Sequence, residues 1–362
     1  MVGESGGMEE GIAAKENIPF FGVLTAKWQR HIPIIRQLPV FIKIPLGVLQ
    51  ALLFFLYKRP KAVVGFGSFA SFSAVMAAFL LRIPYYLHEA NAFPGLVTRL
   101  FAARAAMVMT PHSSLGEHLK GRRPLVTLPL PVREKQVSRE EARAQLGIPQ
   151  EALVTMVMGG SQGSLVLNQT VPEAYAALTD RSGLHVLHSS GRGKDKALKR
   201  HLEERLEIEG IANTYQVAEF LDASLAWAAA DLAICRSGTG TISEAAFAGV
   251  PLVMIPLAIS AENHQYYNAM SVCQAGGGYI VEEHDLSAES LSQAWTLLLG
   301  KGRRDEAAKA MQGFNPQGAA EKMAGLLEDD IDRGRLASRL IHRATRPSRA
   351  TSRLVEAKNK AS

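Results

Sequence analysis

Short apolar runs alternate with stretches of helical period along the 362 residues, and the alternation runs through the chain twice. In the first half, residues 62–65, 84–87 and 106–110 read as buried strands, each leading into a loop and a helical stretch. A further strand near 125 leaves this half through the proline-rich segment Leu128-Pro-Leu-Pro-Val-Arg133. The second half starts afresh after a helix at 138–146, where Ser138 with Glu141 three residues on predicts a capping box. Strands are predicted near 153–158, 184–188, 214–217, 231–235 and 251–255, with helices between them. This alternation predicts α/β architecture, two Rossmann-like doubly wound domains of mostly parallel sheet. The expected division is 1–133, 134–314, a helix at 315–331 packing back on the first domain, and a tail at 332–362 without order of its own. Met1-Val-Gly-Glu reads as a strand and leads to a helix ending at Lys15. A doubly wound domain places a strand, a Gly-rich loop and a helix ahead of such a unit, so the first domain is expected to lack its first strand-loop-helix unit.

The residues that can carry chemistry sit where apolar runs stop at glycine. The run from Leu153 ends at Gly159-Gly-Ser-Gln-Gly163 and opens a helical segment containing Asn168. Unpaired N–H groups and the dipole at such a helix start favour an anion. Gly159, Gly160 and Gly163 let the backbone approach a phosphate, and Ser161 adds a hydroxyl. An ordinary strand-to-helix turn has the same letters, and a second loop tips the balance. Arg236-Ser-Gly-Thr-Gly240 follows another strand and leads into a helix bearing Glu244. Two such loops on one sheet suit a nucleoside diphosphate better than a lone phosphate. Glu244 can then accept hydrogen bonds from both ribose hydroxyls. Gln265 and Asn268 lie three apart and share a helix face, placed to hold sugar hydroxyls. In the first half, Gly65-Phe-Gly67 with Glu89 further on also fits a dinucleotide fingerprint, which keeps an NAD-type enzyme open. His88 and Glu89, at the carboxyl end of a strand, are the catalytic candidates for acid–base work. No metal is expected. His264 has no second His or Cys at ligand spacing, and Asp330-Ile-Asp332 matches a metal-binding pair only in letters.

Charge and composition narrow the partners. The net charge of +6 is carried by the tail: from residue 331 onward nine Lys or Arg face Asp332 and Glu356, leaving −1 for everything before. No aromatics interleave with these charges, so no nucleic-acid partner is expected, and an anionic membrane surface fits better. Cys235 and Cys273 are too few for a disulfide framework and point to a reducing compartment. The apolar run 38–57 is about long enough to span a bilayer, but Pro39, Lys43, Pro45, Gly47 and Gln50 interrupt it. It predicts a helix that is partly core and partly a surface for membrane contact.

Taken together, Gly159-Gly-Ser-Gln-Gly with Asn168, Arg236-Ser-Gly with Ser243-Glu244, Gln265-Tyr-Tyr-Asn268 and His88-Glu-Ala-Asn91 resemble one family over about residues 1–330. It is the MurG family of glycosyltransferase family 28, the undecaprenyl-diphospho-muramoylpentapeptide β-N-acetylglucosaminyltransferases. The resemblance implies a GT-B fold, two Rossmann-like domains facing a cleft. It implies transfer of N-acetylglucosamine from UDP-GlcNAc to the muramoyl 4-hydroxyl of lipid I, with inversion, giving lipid II at the cytoplasmic face of the cell membrane. No cofactor is implied. By matching motif positions, Arg133 and Ser161 would hold the diphosphate, and Gly160, Gln162, Asn168, Arg236 and Ser237 would also contact UDP-GlcNAc. The backbone near Leu221 would meet uracil. Thr239, Gly240, Thr241, Ile242, Ser243 and Glu244 would cover phosphate and ribose, while Asn91, Gln265 and Asn268 would engage the sugar. Gly65, Gly67 and Phe69 would lie on the acceptor side, and 38–57, with the basic tail as a second contact, would meet the anionic inner-membrane surface.

The chain departs from the family pattern at three places. The opening Gly-Gly-Thr-Gly-Gly-His loop, with its strand and helix, is absent, and in the family it supplies acceptor-side glycines and a His considered as general base. The family's Gly-Gly-Tyr is Gly67-Ser-Phe69 here, and Leu130 stands directly before Pro131 where the family has Asn. Two further readings therefore stay open: an inert remnant that binds UDP-GlcNAc or membrane without turnover, and a related lipid glycosyltransferase with a diacylglycerol acceptor.

Overall fold

The computed structural model describes residues 1–26, 38–67, 69–119, 124–134, 137–160, 162–205 and 214–344. The first half contains β1 (Val2–Glu4), α1 (Met8–Lys15), β2 (Phe21–Val23), α2 (Leu38–Lys58), β3 (Val63–Gly65), α3 (Phe69–Leu80), β4 (Tyr85–His88), α4 (Leu96–Phe101), β5 (Met107–Thr110) and β6 (Leu125–Thr127). The second half contains α5 (Arg139–Leu146), β7 (Leu153–Met158), α6 (Leu165–Ala177), β8 (Leu184–Ser189), α7 (Asp195–Arg205), β9 (Tyr215–Ala218), α8 (Ala223–Ala229), β10 (Leu232–Cys235) and α9 (Thr239–Ala248). It continues through β11 (Leu252–Met254), α10 (His264–Gln274), β12 (Gly278–Ile280), α11 (Ala288–Leu299) and α12 (Lys301–Met311), and α13 (Ala319–Ala344) follows.

In the second half all six strands join one parallel sheet in the order β12-β11-β10-β7-β8-β9. Alternate residues of a strand point to opposite faces. Val154 and Met156 accordingly enter one core with Ala233, Cys235 and Met254, while Val157 enters the other with Val186, Ile234 and Val253. Helices cover both faces, so the strands carry apolar residues on both sides and read as continuous apolar runs. The strand order reverses between β7 and β10, and the crevice at their carboxyl ends is where open sheets of this kind take ligands.

The first half is built differently. Its strands form two separate parallel ladders, β1-β2 and β3-β4-β5-β6, and among the described residues no ladder joins β1 to β3. The two pieces are held together by side chains. α3 packs against both β1 and β3, and Val2, Phe21 and Val23 share a cluster with Val63, Val75 and Leu87.

The segment Val40–Lys58 of α2 is long and apolar enough to cross a bilayer by length and composition alone. Its inner face is nonetheless packed into the domain. Ala51 and Phe55 are buried, and a Cβ on Gly47 would meet the Leu24 carbonyl oxygen at 2.1 Å, so only glycine permits this approach. Ile42, Leu46, Leu49, Leu53 and Leu56, spaced by three and four, form an exposed apolar stripe on the outside.

At the other end of the chain, Met323, Leu327 and Ile331 of α13 pack on Tyr86, Met109 and Leu128 of the first half. The Tyr86 hydroxyl donates to Asp330 at 2.8 Å, and burial together with this carboxylate raises the phenol's pKa. Asp330 of the pair that resembles a metal motif is thus engaged by a tyrosine. The helix runs on to Ala344, so the first part of the segment expected to lack order is helical, and 345–362 lie outside the described residues. Two strands, β2 and β12, went unpredicted: each is three residues long and one of the three is glycine, Gly22 and Gly278, which leaves no apolar run. Of the capping box expected at Ser138, the half in which the Glu141 N–H donates to the Ser138 hydroxyl is present (3.1 Å), while the Glu141 carboxylate takes Gln145 instead.

Candidate functional site

The loop after β7 owes its shape to its glycines. Gly160 and Gly163 have φ of +84° and +65°, and a Cβ on Gly163 would strike the Ser190 carbonyl oxygen at 2.1 Å. The loop is held from outside by Lys194, whose ammonium donates to the Gln162 carbonyl at 2.6 Å, and Gln162 itself is exposed. Ser161 lies outside the described residues. Ser164 begins α6, its hydroxyl accepting from the Leu167 N–H at 3.4 Å.

Behind the loop lies a buried polar network. Asn168 donates to the Ser190 carbonyl at 3.0 Å and pairs with His188 Nε2 at 3.0 Å, while His188 Nδ1 meets the Tyr215 hydroxyl at 2.8 Å. Burial pushes the His188 pKa down to about 3, so the imidazole is neutral. A neutral ring has one donor and one acceptor, which fixes the order: Tyr215 donates to Nδ1 and Nε2–H donates to Asn168. Asn168 was expected to touch the ligand. It is spent instead on bracing Ser190 against Gly163.

The second loop presents α9, whose N-cap Gly238 offers no side-chain acceptor to the first-turn N–H groups. Those donors are left for a ligand, with Thr239, Gly240 and Thr241 around them. Arg236, expected as a ligand contact, is buried and braces the loop. Its guanidinium donates to the carbonyls of Ile255 (3.1 Å) and Pro256 (3.3 Å), to Glu283 (3.0 Å) and to the Ser164 hydroxyl (3.1 Å). That last bond ties the second loop to the start of α6. The Ser237 hydroxyl donates to the Gln265 carbonyl at 2.8 Å. Ile242 and Ser243 are buried, the Ile242 side chain in the core.

Glu244 lines a cavity of about 770 Å³ with Leu130, Pro131, Arg133, Asp222, Trp227 and Gly240. Arg133 is largely exposed and its guanidinium pairs with Glu16 at 2.9 Å. Leu221 packs half-buried against the core beside Asp222, which caps α8 by accepting from the Leu225 N–H at 3.1 Å. One oxygen of Glu244 accepts a hydrogen bond from the Trp227 indole at 3.0 Å.

The two halves meet at β4 and α10. Asn268, fully buried, accepts from the Ala92 N–H at 2.8 Å and donates to Asn91 Oδ1 and to the Ser237 carbonyl, each at 3.2 Å. Asn91 and Asn268 were both expected on the sugar; here they hold each other across the boundary. Phe93 stacks on Tyr267 with centroids 5.0 Å apart, and Arg99 pairs with Glu262. Gln265 accepts from the Leu257 N–H at 3.1 Å, and among the described residues nothing engages its Nε2.

The two acid–base candidates separate. Glu89 accepts from the Asn91 backbone N–H (3.1 Å) and side-chain amide (3.2 Å), the Gly95 N–H (2.9 Å) and the Thr98 hydroxyl (2.6 Å). Four donors saturate its carboxylate, so it orders the 91–98 loop and has no position left for proton transfer. His88 sits under Leu128 and Pro129 beside Phe66, its two nitrogens without a well-formed bond, and burial lowers its pKa. Gly65 is packed so closely that a Cβ would meet Val75 at 2.8 Å, and Gly67 has φ of +72°. Phe69 opens α3, and its side chain lies outside the described residues.

Trp227 and Phe93 carried no sequence signal, because each acquires its role from a partner on a different element.

Two parallel α/β units that meet over paired strand-to-helix loops define the GT-B class of glycosyltransferases. The glycosyltransferase family 28 N-terminal domain matches residues 1–110, and the family's C-terminal domain matches 154–324. The UDP-N-acetylglucosamine--N-acetylmuramyl-(pentapeptide) pyrophosphoryl-undecaprenol N-acetylglucosamine transferase of Deinococcus deserti is 38% identical, over 92% of this chain and 91% of that protein. The protein of the same description from Deinococcus radiodurans is 40% identical, over 92% and 88%. The crystal structure of Acinetobacter baumannii MurG superposes with a TM-score of 0.72 at 26% identity, covering 91% of this chain and 90% of that one. The chain belongs to the MurG family of glycosyltransferase family 28.

Proposed function

We propose that this protein transfers N-acetylglucosamine from UDP-GlcNAc to the 4-hydroxyl of the muramoyl residue of lipid I, inverting the anomeric centre and releasing UDP and lipid II. The observation that carries this reading is the cavity bounded by Glu244, Gly240 and Arg133 beside the uncapped start of α9. In this reading uracil lies against the Leu221–Asp222 backbone, Glu244 accepts from the ribose hydroxyls, and the diphosphate meets the N-termini of α6 and α9 with Arg133. The departing UDP gains negative charge as the glycosidic bond breaks. Fixed N–H groups and a guanidinium aimed at that charge lower the barrier without reorganising. Gln265 Nε2 reaches the sugar. Arg236, Asn168 and Ser237 act by holding the loops, and Asn268 by holding the two halves together.

The acceptor hydroxyl must lose a proton. With Glu89 committed to its loop, His88 is the proton acceptor of this proposal; burial favours its neutral ring, and because both nitrogens are covered, beneath Leu128 and Pro129, the acceptor hydroxyl reaches it only when that segment moves aside. The acceptor arrives in a membrane, and the exposed stripe Ile42, Leu46, Leu49, Leu53 and Leu56 would lie on that surface, with Lys58, Arg59 and Lys61 at its end facing anionic headgroups. The protein is then a peripheral enzyme of the cytoplasmic face.

The divided sheet of the first half favours a second reading, binding of UDP-GlcNAc without transfer. Calorimetric titration with UDP-GlcNAc and an assay of lipid II formation separate the two. The first reading requires both binding and product; binding alone leaves the second.

A further inference from the structure

From the geometry around Glu244 we infer that Trp227 is a positioning residue for recognition of the ribose, and so a determinant of ribonucleotide over deoxyribonucleotide donors. The inference rests on the proposed contact between Glu244 and the ribose. Trp227 is 5% exposed, packed in the same core as Ile242 and Ala246, yet it also lines the cavity. An indole is a hydrogen-bond donor with no acceptor, and when buried it needs a partner. Its partner is one oxygen of Glu244, at 3.0 Å, on the next helix of the second half. Among the described residues no other hydrogen bond reaches the Glu244 carboxylate, and Glu244 lines the cavity, so its second oxygen is left without a protein partner at that wall.

A glutamate side chain beside open space samples several rotamers, and a ligand that needs one of them must select it. The indole N–H removes that freedom before the nucleotide arrives. It holds one oxygen and leaves the other for the ribose, and a charge-assisted bond of this kind is strong enough to choose the rotamer. Packing does not require the N–H, since a phenyl ring would fill most of the same wall. Packing and orientation can therefore be separated by substitution.

The test compares UDP and 2′-deoxy-UDP, titrated calorimetrically into wild type, Trp227→Phe and Glu244→Ala, with thermal unfolding as the check on folding. Trp227→Phe is expected to weaken UDP binding about tenfold and 2′-deoxy-UDP binding, which keeps only the 3′-hydroxyl for Glu244, by distinctly less, so that the preference for the ribonucleotide narrows. A folded Trp227→Phe protein that keeps the wild-type preference, or loses affinity for both nucleotides equally, overturns the inference. Glu244→Ala checks the reading beneath it: unchanged UDP binding there would remove the ribose contact itself. Should Trp227→Phe fail to fold, the indole N–H resonance of Trp227 in the wild-type protein serves instead. It should shift on adding UDP and much less on adding 2′-deoxy-UDP, and equal shifts would overturn the inference.

Discussion

The two halves of this molecule follow the same strand–helix plan and solve it with different completeness. In the second half six strands form one ladder, and its carboxyl edge carries loops locked by Arg236, Ser164 and the His188–Asn168 pair. In the first half the ladder is broken between β1 and β3, and α3 bridges the gap with side chains. Backbone ladders fix position to fractions of an ångström, whereas an apolar contact fixes proximity. The difference teaches that the donor-side loops are preorganised by hydrogen bonds, while the acceptor side depends on packing and on its hold upon the second half through Asn91, Asn268 and α13.

The comparison is tested most severely by native-state hydrogen exchange. Amides of the β1-β2 ladder should exchange roughly a thousandfold faster than those of β7 and β8, a difference of about 4 kcal/mol in opening free energy. Equal protection would mean that the two pieces of the first half behave as one cooperative sheet with the rest.

Substitutions should then separate the halves by function. Glu244→Ala removes the proposed ribose acceptor and is expected to weaken UDP-GlcNAc binding roughly a hundredfold by calorimetry. His88→Gln should leave that affinity within about a factor of two and lower kcat about a hundredfold, since general-base losses fall in this range. A His88→Gln enzyme with wild-type kcat would remove His88 from the mechanism. Because burial lowers the His88 pKa, kcat of the wild type should hold as pH falls through the ordinary histidine value and decline only below it.

The proposed membrane face, the exposed stripe of α2, lies in the first half. Leu49→Asp together with Leu53→Asp should reduce binding to vesicles containing anionic lipid by about thirtyfold in flotation, with UDP-GlcNAc affinity unchanged. Undiminished vesicle binding would move the membrane surface elsewhere.

The smallest expected effect is on stability in mild acid. His188 and His112 are buried, with pKa values pushed down to about 3 and about 4, and each would take up a proton near its ordinary value when unfolded. The unfolded state therefore binds more protons below about pH 6.5, and stability falls as pH drops through that point. Lowering pH from 7.5 to 6 should cost about 1.5 kcal/mol in urea titrations. His112→Gln should remove about half of that slope.

Much of this architecture was readable in the residue pattern, and the reasons are physical. Buried parallel strands such as Leu153–Met158 and Leu232–Cys235 are apolar but for Thr155 and run into glycine-containing loops, the first at Gly159, where the Ser164 backbone approaches closely, so both their extent and their loops stand out. Glu244 and Gly240, two of the residues bounding the cavity, could be named because they lie close in sequence to such a loop. The division of labour within the site could not. Asn268 finds Asn91 177 residues away, Trp227 finds Glu244 from a neighbouring helix, and Glu89 gathers donors from a loop whose path no local pattern sets. A polar residue near a glycine-rich loop looks the same in sequence whether it touches the ligand or braces the loop from behind.

The central claim is transfer rather than binding alone, and it is met most directly by one assay. Purified protein is incubated with UDP-GlcNAc labelled in the sugar and with lipid I in vesicles, and label in the lipid fraction is followed over time. The account predicts labelled lipid II accumulating in proportion to enzyme, and lost with Glu244→Ala at limiting donor. A protein that binds UDP-GlcNAc calorimetrically yet moves no label into lipid would contradict it.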